Sequence, residues 1–218
     1  MLADLISRVV NLLVFAGLAT ALLFIWRTPV RSQLQALRWQ AFALAELALL
    51  IAFVRQEAEP FLAAVWLASV RGCAVPWLCW RLIVRQGKPA VNSASVDPAI
   101  RLVSAVGLVV VAYVVLAPIA DLAHSTAAPL LPSALATVLI GMLAMIVWQH
   151  GASRVLGLLV IANGGMLLGL LATPGVLGAI APGLLLDLFV VVLLLGEVAC
   201  PTLAHDGAMA TLPAGEER

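Results

Sequence analysis

Long apolar runs are the feature that most restricts how this chain can fold. The run from Val9 to Trp26 contains no charged residue, and similar runs recur along most of the sequence. About 20 apolar residues are enough to cross the hydrocarbon core of a bilayer as a helix. Of the 218 residues, 64% are apolar and 11% are charged, whereas average soluble domains have about 45–50% and about 25%. The composition therefore predicts an integral membrane protein and excludes an ordinary water-soluble domain.

Apolar runs bounded by charged residues or proline give seven candidate membrane helices. The first run is too long for a signal peptide and is followed by no small-residue cleavage motif, so we expect a retained helix. The predicted fold class is an all-α integral membrane protein with about seven transmembrane helices. These cover roughly residues 5–26, 34–54, 60–84, 98–120, 131–149, 154–173 and 177–199.

One polar segment is the only plausible internal boundary of the chain. It contains Lys88, Pro89 and Asn92 and separates three predicted helices from four. A short polar tail follows the last helix. The predicted organisation is an N-terminal three-helix region (1–85), a loop (86–97), a C-terminal four-helix region (98–200) and a tail (201–218).

Basic residues concentrate in alternate loops. The loops after the first, third and fifth predicted helices are basic, whereas the loops between them have few basic residues or none. Because basic residues collect in cytoplasmic loops, we expect the N-terminus outside and the C-terminus in the cytoplasm. The basic residues concerned are Arg27, Arg31, Arg38, Arg81, Arg85, Lys88, Arg101 and Arg154.

The remaining composition excludes several function classes. Twelve Lys and Arg against eleven Asp and Glu leave a net charge of +1, which predicts no nucleic-acid partner. The three cysteines, Cys73, Cys79 and Cys200, lack metal-binding spacing. No phosphate-loop, dinucleotide-binding or zinc motif is present. The sequence therefore predicts no cofactor, no metal site and no catalytic residue in this chain.

A few polar side chains fall inside the predicted helices. An ionisable group there costs about 2.5–3.5 kcal/mol on insertion scales, so each needs a partner or a function. One interpretation is a proton or ion relay. The other is that Glu46 and Arg71 neutralise each other and only fix helix pairing. The candidates are Gln40, Glu46, Arg71, Asn163, Asp187 and Glu197.

The last two candidates lie in the seventh predicted helix. Asp187 is near its middle and has no obvious basic partner in this chain. It is therefore protonated, or it faces a cavity or another subunit. Glu197 is near the predicted cytoplasmic end, where its side chain can reach the membrane interface.

The sixth predicted helix is rich in glycine. Gly165 and Gly169 form a small-xxx-small pair, the spacing that lets membrane helices pack closely, and Gly157 and Gly164 add to it. We expect close helix packing at these four glycines. Alternatively, the run Asn163–Gly165 loosens the helix locally as a π-bulge.

Two segments in the sixth and seventh helices carry a family resemblance. Val155–Gly157 and Ala162–Gly164 are followed about 23 residues later by Asp187–Phe189 in an apolar run. This pattern resembles the hydrogenase-4 component E family, membrane subunits of group 4 nickel–iron hydrogenases and formate hydrogenlyase-type complexes. Upstream, Gln40 and Pro76 fall where that family tends to have Gln and Pro.

The resemblance implies a non-catalytic subunit of a membrane arm in the bacterial inner membrane. Such a subunit scaffolds antiporter-like subunits of a redox-driven, ion-translocating complex related to respiratory complex I. The redox metals then belong to other subunits. The region 131–200 would be similar to the small three-helix subunit shared by complex I and Mrp-type antiporters.

Two positions depart from the family pattern. Ala162 stands where the family usually has a Glu thought to serve proton movement, and Arg71 stands where it tends to have Lys. Arg is a poor proton carrier because its pKa exceeds about 12. The resemblance therefore supports the architecture better than a complete proton path, of which Glu46 and Asp187 would keep a part.

Two other function classes compete with this interpretation. A stand-alone small transporter or channel would show internal repeats or matching broken helices in its two halves, and no convincing repeat is present. A membrane enzyme acting on lipids would need catalytic residues near an interface, but the loops are short and poor in His, Asp and Ser.

Overall fold

The computed structural model describes residues 1–56, 58–85, 96–122, 128–148 and 151–172, which are almost entirely helical and include no strand. A π-helical segment (Leu67–Ala74) joins α3 to α4, and a 3₁₀ turn (Ala128–Leu130) precedes α6. The α-helices are α1 (Leu2–Trp26), α2 (Val30–Arg55), α3 (Ala58–Trp66), α4 (Val75–Arg85), α5 (Pro98–Leu122), α6 (Leu131–Val147) and α7 (Gly151–Ala172).

Six stretches of the described chain are long and apolar enough to cross a membrane. Five of them lie in α1, α2, α5, α6 and α7, and the sixth runs from α3 through the π segment into α4. For the described residues, this confirms the prediction of a helical chain with several stretches long and apolar enough to cross a membrane. The seventh predicted span (177–199), the tail (201–218) and most of the loop (86–97) lie outside the described residues.

Most of the described arginines lie toward one end of the bundle, where α1, α4 and α6 finish and α2, α5 and α7 begin. Arg101 Nη1 donates a hydrogen bond to the Ile25 carbonyl oxygen (3.2 Å). The Arg31 guanidinium lies 5.9 Å from the centre of the Trp80 ring. These contacts join the start of α5 to the end of α1, and the start of α2 to the end of α4. We call this end of the bundle the basic end.

Helices α6 and α7 make the most extensive contact of the described bundle. A Cβ atom on Gly141 would lie 2.7 Å from Ile161 Cγ1, and one on Gly164 would lie 2.8 Å from the Val138 backbone nitrogen. On Gly157 it would lie 3.0 Å from a Met145 side-chain carbon. Real Cβ atoms essentially never approach within 3.0 Å of such neighbours. The absence of side chains at these glycines therefore lets the two backbones pack closely.

The packing face of α7 differs from the face that contains Gly165. Gly157 and Gly164 are seven residues apart, which places them on one side of the helix two turns apart. Gly165 is rotated from Gly164 by about 100°, is exposed and has no neighbour within 4 Å of its Cβ position. Gly169 is half-buried. Helix α7 is α-helical from Gly151 to Ala172, so the π segment occurs in a different helix from the predicted bulge.

Candidate functional site

Three polar side chains lie between two apolar clusters in the middle of the bundle. Gln40 of α2, Arg71 of the π segment and Asn163 of α7 are only 3%, 4% and 4% exposed. Along α2, the buried apolar residues before Gln40 belong to the cluster at the basic end, and those from Leu44 onward belong to the opposite cluster. In α7 and in the third span, Asn163 and Arg71 likewise lie between buried residues of one cluster and buried residues of the other. We call Gln40, Arg71 and Asn163 the polar layer.

The polar layer forms a continuous chain of hydrogen bonds. Arg71 Nη1 donates to Asn163 Oδ1 at 2.7 Å, and Asn163 Nδ2 donates to Gln40 Oε1 at 3.1 Å. A longer contact of 3.5 Å runs from Gln40 Nε2 to the Gly17 carbonyl oxygen of α1. Because a guanidinium can only donate, Asn163 must turn its oxygen toward Arg71. This orientation then sets the direction of every later bond.

The chemistry of the polar layer is that of a structural connection between helices. Its side chains are two amides and one guanidinium, which form hydrogen bonds but are poor proton carriers. They join α1, α2, the π segment and α7 at one level, in surroundings where an unpaired polar group would be costly.

Two small cavities adjoin the polar layer. One is lined by Gly17, Gln40, Thr137 and Asn163, and the other by residues that include Arg71 and Asn163. Each has a volume of about 10 Å³, close to the minimum needed for one water molecule. The cavities give the layer room for single waters.

The π segment is followed closely by Pro76, which lies two residues after Ala74, the last residue of the segment. In an α-helix, the backbone nitrogen of residue 76 would donate to the Gly72 carbonyl, but proline has no N–H. Arg38 Nε of α2 donates to this carbonyl instead, at 3.2 Å. Gly72 also lets the helices approach closely, since a Cβ there would lie 2.9 Å from Phe42 Cε1. The backbone next to Arg71 is therefore held against α2 by the hydrogen bond from Arg38 and by the close contact at Gly72.

We expect the contribution of Arg38 to stability to depend on Pro76. Arg38→Met should destabilise the protein by about 1–3 kcal/mol, because it leaves the Gly72 carbonyl without a donor. In a Pro76→Ala background the backbone N–H can serve that carbonyl, so the same substitution should cost less. A double-mutant cycle on unfolding midpoints in detergent measures this coupling. Equal effects of Arg38→Met in the two backgrounds would contradict the assignment.

The predicted polar candidates separate into two groups. Gln40, Arg71 and Asn163 come together in the polar layer, whereas Glu46 is exposed on the outer surface of α2. Glu46 and Arg71 therefore do not form the ion pair that was one interpretation of the sequence, because their side chains leave their helices on different sides. Asp187 and Glu197 lie outside the described residues. Ala162, next to Asn163, is buried.

Sequence reasoning missed two polar contacts between helices. Arg101, interpreted as a residue flanking a loop, is only 1% exposed, and its guanidinium lies 4.7 Å from the centre of the Trp148 ring. Tyr113 and Ser133 share a hydrogen bond of 2.8 Å between α5 and α6. The available signals were weak: Arg101 and Trp148 stand at neighbouring helix ends, and Tyr113 is the single tyrosine.

The part of the chain that the structure describes contains no group of three or more His, Cys, Asp or Glu side chains that could hold a metal ion. Of its cysteines, Cys73 is exposed and Cys79 is buried, and neither forms a disulfide. The polar layer is therefore the candidate site that these residues offer.

The chain is similar in sequence to a protein from another source. No family model matches the chain, and no solved structure matches it. A protein of Mycobacterium tuberculosis, named Uncharacterized protein Rv0085, is 29% identical to it over 187 residues. The match covers 83% of each chain. The similarity thus extends over most of both sequences, and the relative's name assigns it no activity.

Proposed function

We propose that this chain is a non-catalytic subunit in the membrane arm of a hydrogenase-4-like, complex-I-related complex. In this role it scaffolds antiporter-like subunits of a redox-driven, ion-translocating assembly in the bacterial inner membrane. The proposal includes seven spans, with the N-terminus outside and the basic end of the bundle in the cytoplasm. The concentration of arginine at the basic end supports this orientation.

The exposed carboxylate of Glu46 is the observation that carries the proposal. Glu46 lies nine residues before the end of α2, which corresponds to about 13 Å of helix. At that depth a carboxylate facing lipid costs about 2.5–3.5 kcal/mol. A basic or hydrogen-bonding side chain of a neighbouring subunit would remove this cost. The outward position of Glu46 therefore supports the view that this chain packs against a partner subunit.

The surroundings of Glu46 fit a contact with another membrane protein. Trp39 and Phe53, each seven residues from Glu46 on α2, are exposed large side chains, and Leu49 is a third. We call these four residues the Glu46 face. Aromatic residues are enriched where proteins bind one another, and a single carboxylate among them would fix the position of the partner.

The polar layer supports a scaffold that gives at most part of a proton path. Its side chains are amides and a guanidinium, which are poor proton carriers, and Ala162 beside it supplies no carboxylate. Waters in the two small cavities, and carboxylates outside the described residues or in neighbouring subunits, would have to complete any path. This arrangement agrees with a subunit that aligns its neighbours.

The alternative, a stand-alone small transporter or channel, has one feature in its favour. The third span is interrupted by the π segment at a buried arginine, as in transporters with broken helices. The cavities beside this arginine and the rest of the layer are about 10 Å³ each. They admit a water and no larger solute, so the described interior favours the subunit over the transporter.

Purification from the native host separates these functions. We expect the affinity-tagged chain, extracted from its own membranes in mild detergent, to bring antiporter-like membrane proteins and a redox large subunit with it. Mass spectrometry identifies the recovered proteins. Recovery of a solitary homo-oligomer that transports a solute in liposomes would refute the proposal and establish the alternative.

We predict that Glu46→Ala lowers the recovery of the partner subunits on the order of tenfold, because a charged hydrogen bond is worth about 1.5–3 kcal/mol. Quantitative mass spectrometry of the purified complex measures this recovery. Val114→Ala, at an exposed position of α5 outside the Glu46 face, is the control and should leave it unchanged. Unchanged recovery with Glu46→Ala would remove Glu46 from the interface.

A further inference from the structure

An open groove lies between α2 and the π segment with α4, on the outside of the bundle toward the basic end. Its volume is about 600 Å³, within the range of about 300–1,000 Å³ typical of small-molecule sites. Arg31 and Arg38 of α2 line one side, and Trp77 and Trp80 of α4 line the other. We call it the arginine groove.

The two arginines bring positive charge that the described residues do not neutralise. Neither forms an ion pair with a described carboxylate, and the only described ion pair joins the N-terminal amine to Asp4. Arg31 contacts the Trp80 ring. Arg38 uses Nε to bind the Gly72 carbonyl oxygen, which leaves its two terminal nitrogens free to donate. The groove therefore offers several charged donors to an anion.

The apolar part of the groove continues toward the middle of the bundle. Leu34, Ala74 and Pro76 form part of its wall, and Ser69 and Cys73 lie further along it. Tryptophan is enriched where headgroups meet hydrocarbon. The groove thus combines two guanidinium groups with apolar wall residues and tryptophan rings, which is the chemistry of a site for an anionic amphiphile.

We propose that the arginine groove binds an anionic phospholipid. The phosphate group binds to the guanidinium groups of Arg31 and Arg38, and an acyl chain lies along Leu34, Ala74 and Pro76. Arginine suits this role because its planar donors match phosphate oxygens. The proposal is independent of the parent complex, since it concerns a surface that this chain forms alone.

Cys73 provides a direct measurement, because it is exposed and lines the groove. Cys79 is fully buried, and Cys200→Ser removes the remaining thiol. We expect phosphatidylglycerol, added to the purified chain in detergent, to slow the alkylation of Cys73 by N-ethylmaleimide. The same amount of phosphatidylcholine should have a much smaller effect, because its net charge is zero.

Arg31→Gln should weaken this protection on the order of tenfold in the lipid concentration required, since a charged contact to phosphate is lost. Arg31 makes no hydrogen bond within the described bundle, so the contact that this variant removes there is the one with the Trp80 ring. Arg38→Gln should also weaken it, with an additional loss of stability. Arg27→Gln, at the same end and outside the groove, is the control and should behave as wild type.

Three results would overturn the proposal. Equal protection by the two lipids would show that charge is not recognised. Protection by soluble glycerol phosphate at the same concentration would show a free phosphate site without a lipid. Protection of Cys73 only in the assembled complex, with no effect of lipid on the lone chain, would assign the groove to a protein partner.

Discussion

Substituting Arg71 by Met is expected to destabilise the protein by about 1–3 kcal/mol for each buried polar group left without a partner. The Asn163 oxygen loses its 2.7 Å donor, and the orientation of the Asn163 and Gln40 amides is no longer fixed. Met keeps much of the side-chain length and is apolar, so the substitution removes the polar contacts of Arg71 while it retains much of the packing. The midpoint of unfolding in mixed detergent micelles, compared with wild type, measures the loss.

Two further variants connect this effect to the polar layer. Arg71→Lys retains a donor but lacks the planar guanidinium, so its stability should fall between wild type and Arg71→Met. Asn163→Leu combined with Arg71→Met removes the unpaired amide oxygen, so the pair should cost less than the sum of the single substitutions. Additive costs, or an Arg71→Met protein as stable as wild type, would show that the layer does not connect these helices.

The polar layer matters more here than a few hydrogen bonds would in a soluble core. Lipid tails are as apolar as leucine, so burial of apolar side chains does little to bring membrane helices together. Specific polar contacts and close backbone packing then decide which helices are neighbours. In this bundle the polar layer joins α1, α2, the π segment and α7, and the glycines join α6 to α7.

The sequence could predict the membrane spans because the thickness of the bilayer determines their length. It could also identify Gln40, Arg71 and Asn163 as unusual, because polar groups are expensive inside apolar runs. It could not show which of them meet. The periodicity of a helix gives the angle between its own side chains but not the neighbour that each side faces. For this reason the sequence suggests Glu46 as a partner for Arg71, although Glu46 lies on the outer surface of α2.

Local backbone features were harder to predict than the spans. One alternative predicted from the sequence is a π-bulge at Asn163–Gly165, whereas the π segment lies in the third span, just before Pro76. The lost N–H at Pro76 affects the turn before it, where Gly72 and Arg38 make an alternative contact. Around Asn163, α6 supports a regular helix, because Val138 packs directly against Gly164.

The second large effect is expected from Gly164→Ala, which should destabilise the protein by about 1–3 kcal/mol. A Cβ there would lie 2.8 Å from the Val138 backbone nitrogen and 3.2 Å from the Ala134 carbonyl oxygen. Backbone atoms cannot move aside as a flexible side chain can, so α6 and α7 must separate. The unfolding midpoint in the same mixed micelles measures the loss.

Gly165→Ala is the matched control, one residue further along the same helix. Its Cβ would meet nothing within 4 Å, and alanine is favoured over glycine in helices by about 0.8–1.0 kcal/mol. This variant should therefore be as stable as wild type or slightly more stable. Both substitutions add one methyl group and the same helix preference, so the difference between them measures the packing of α6 against α7. Equal midpoints would contradict that packing.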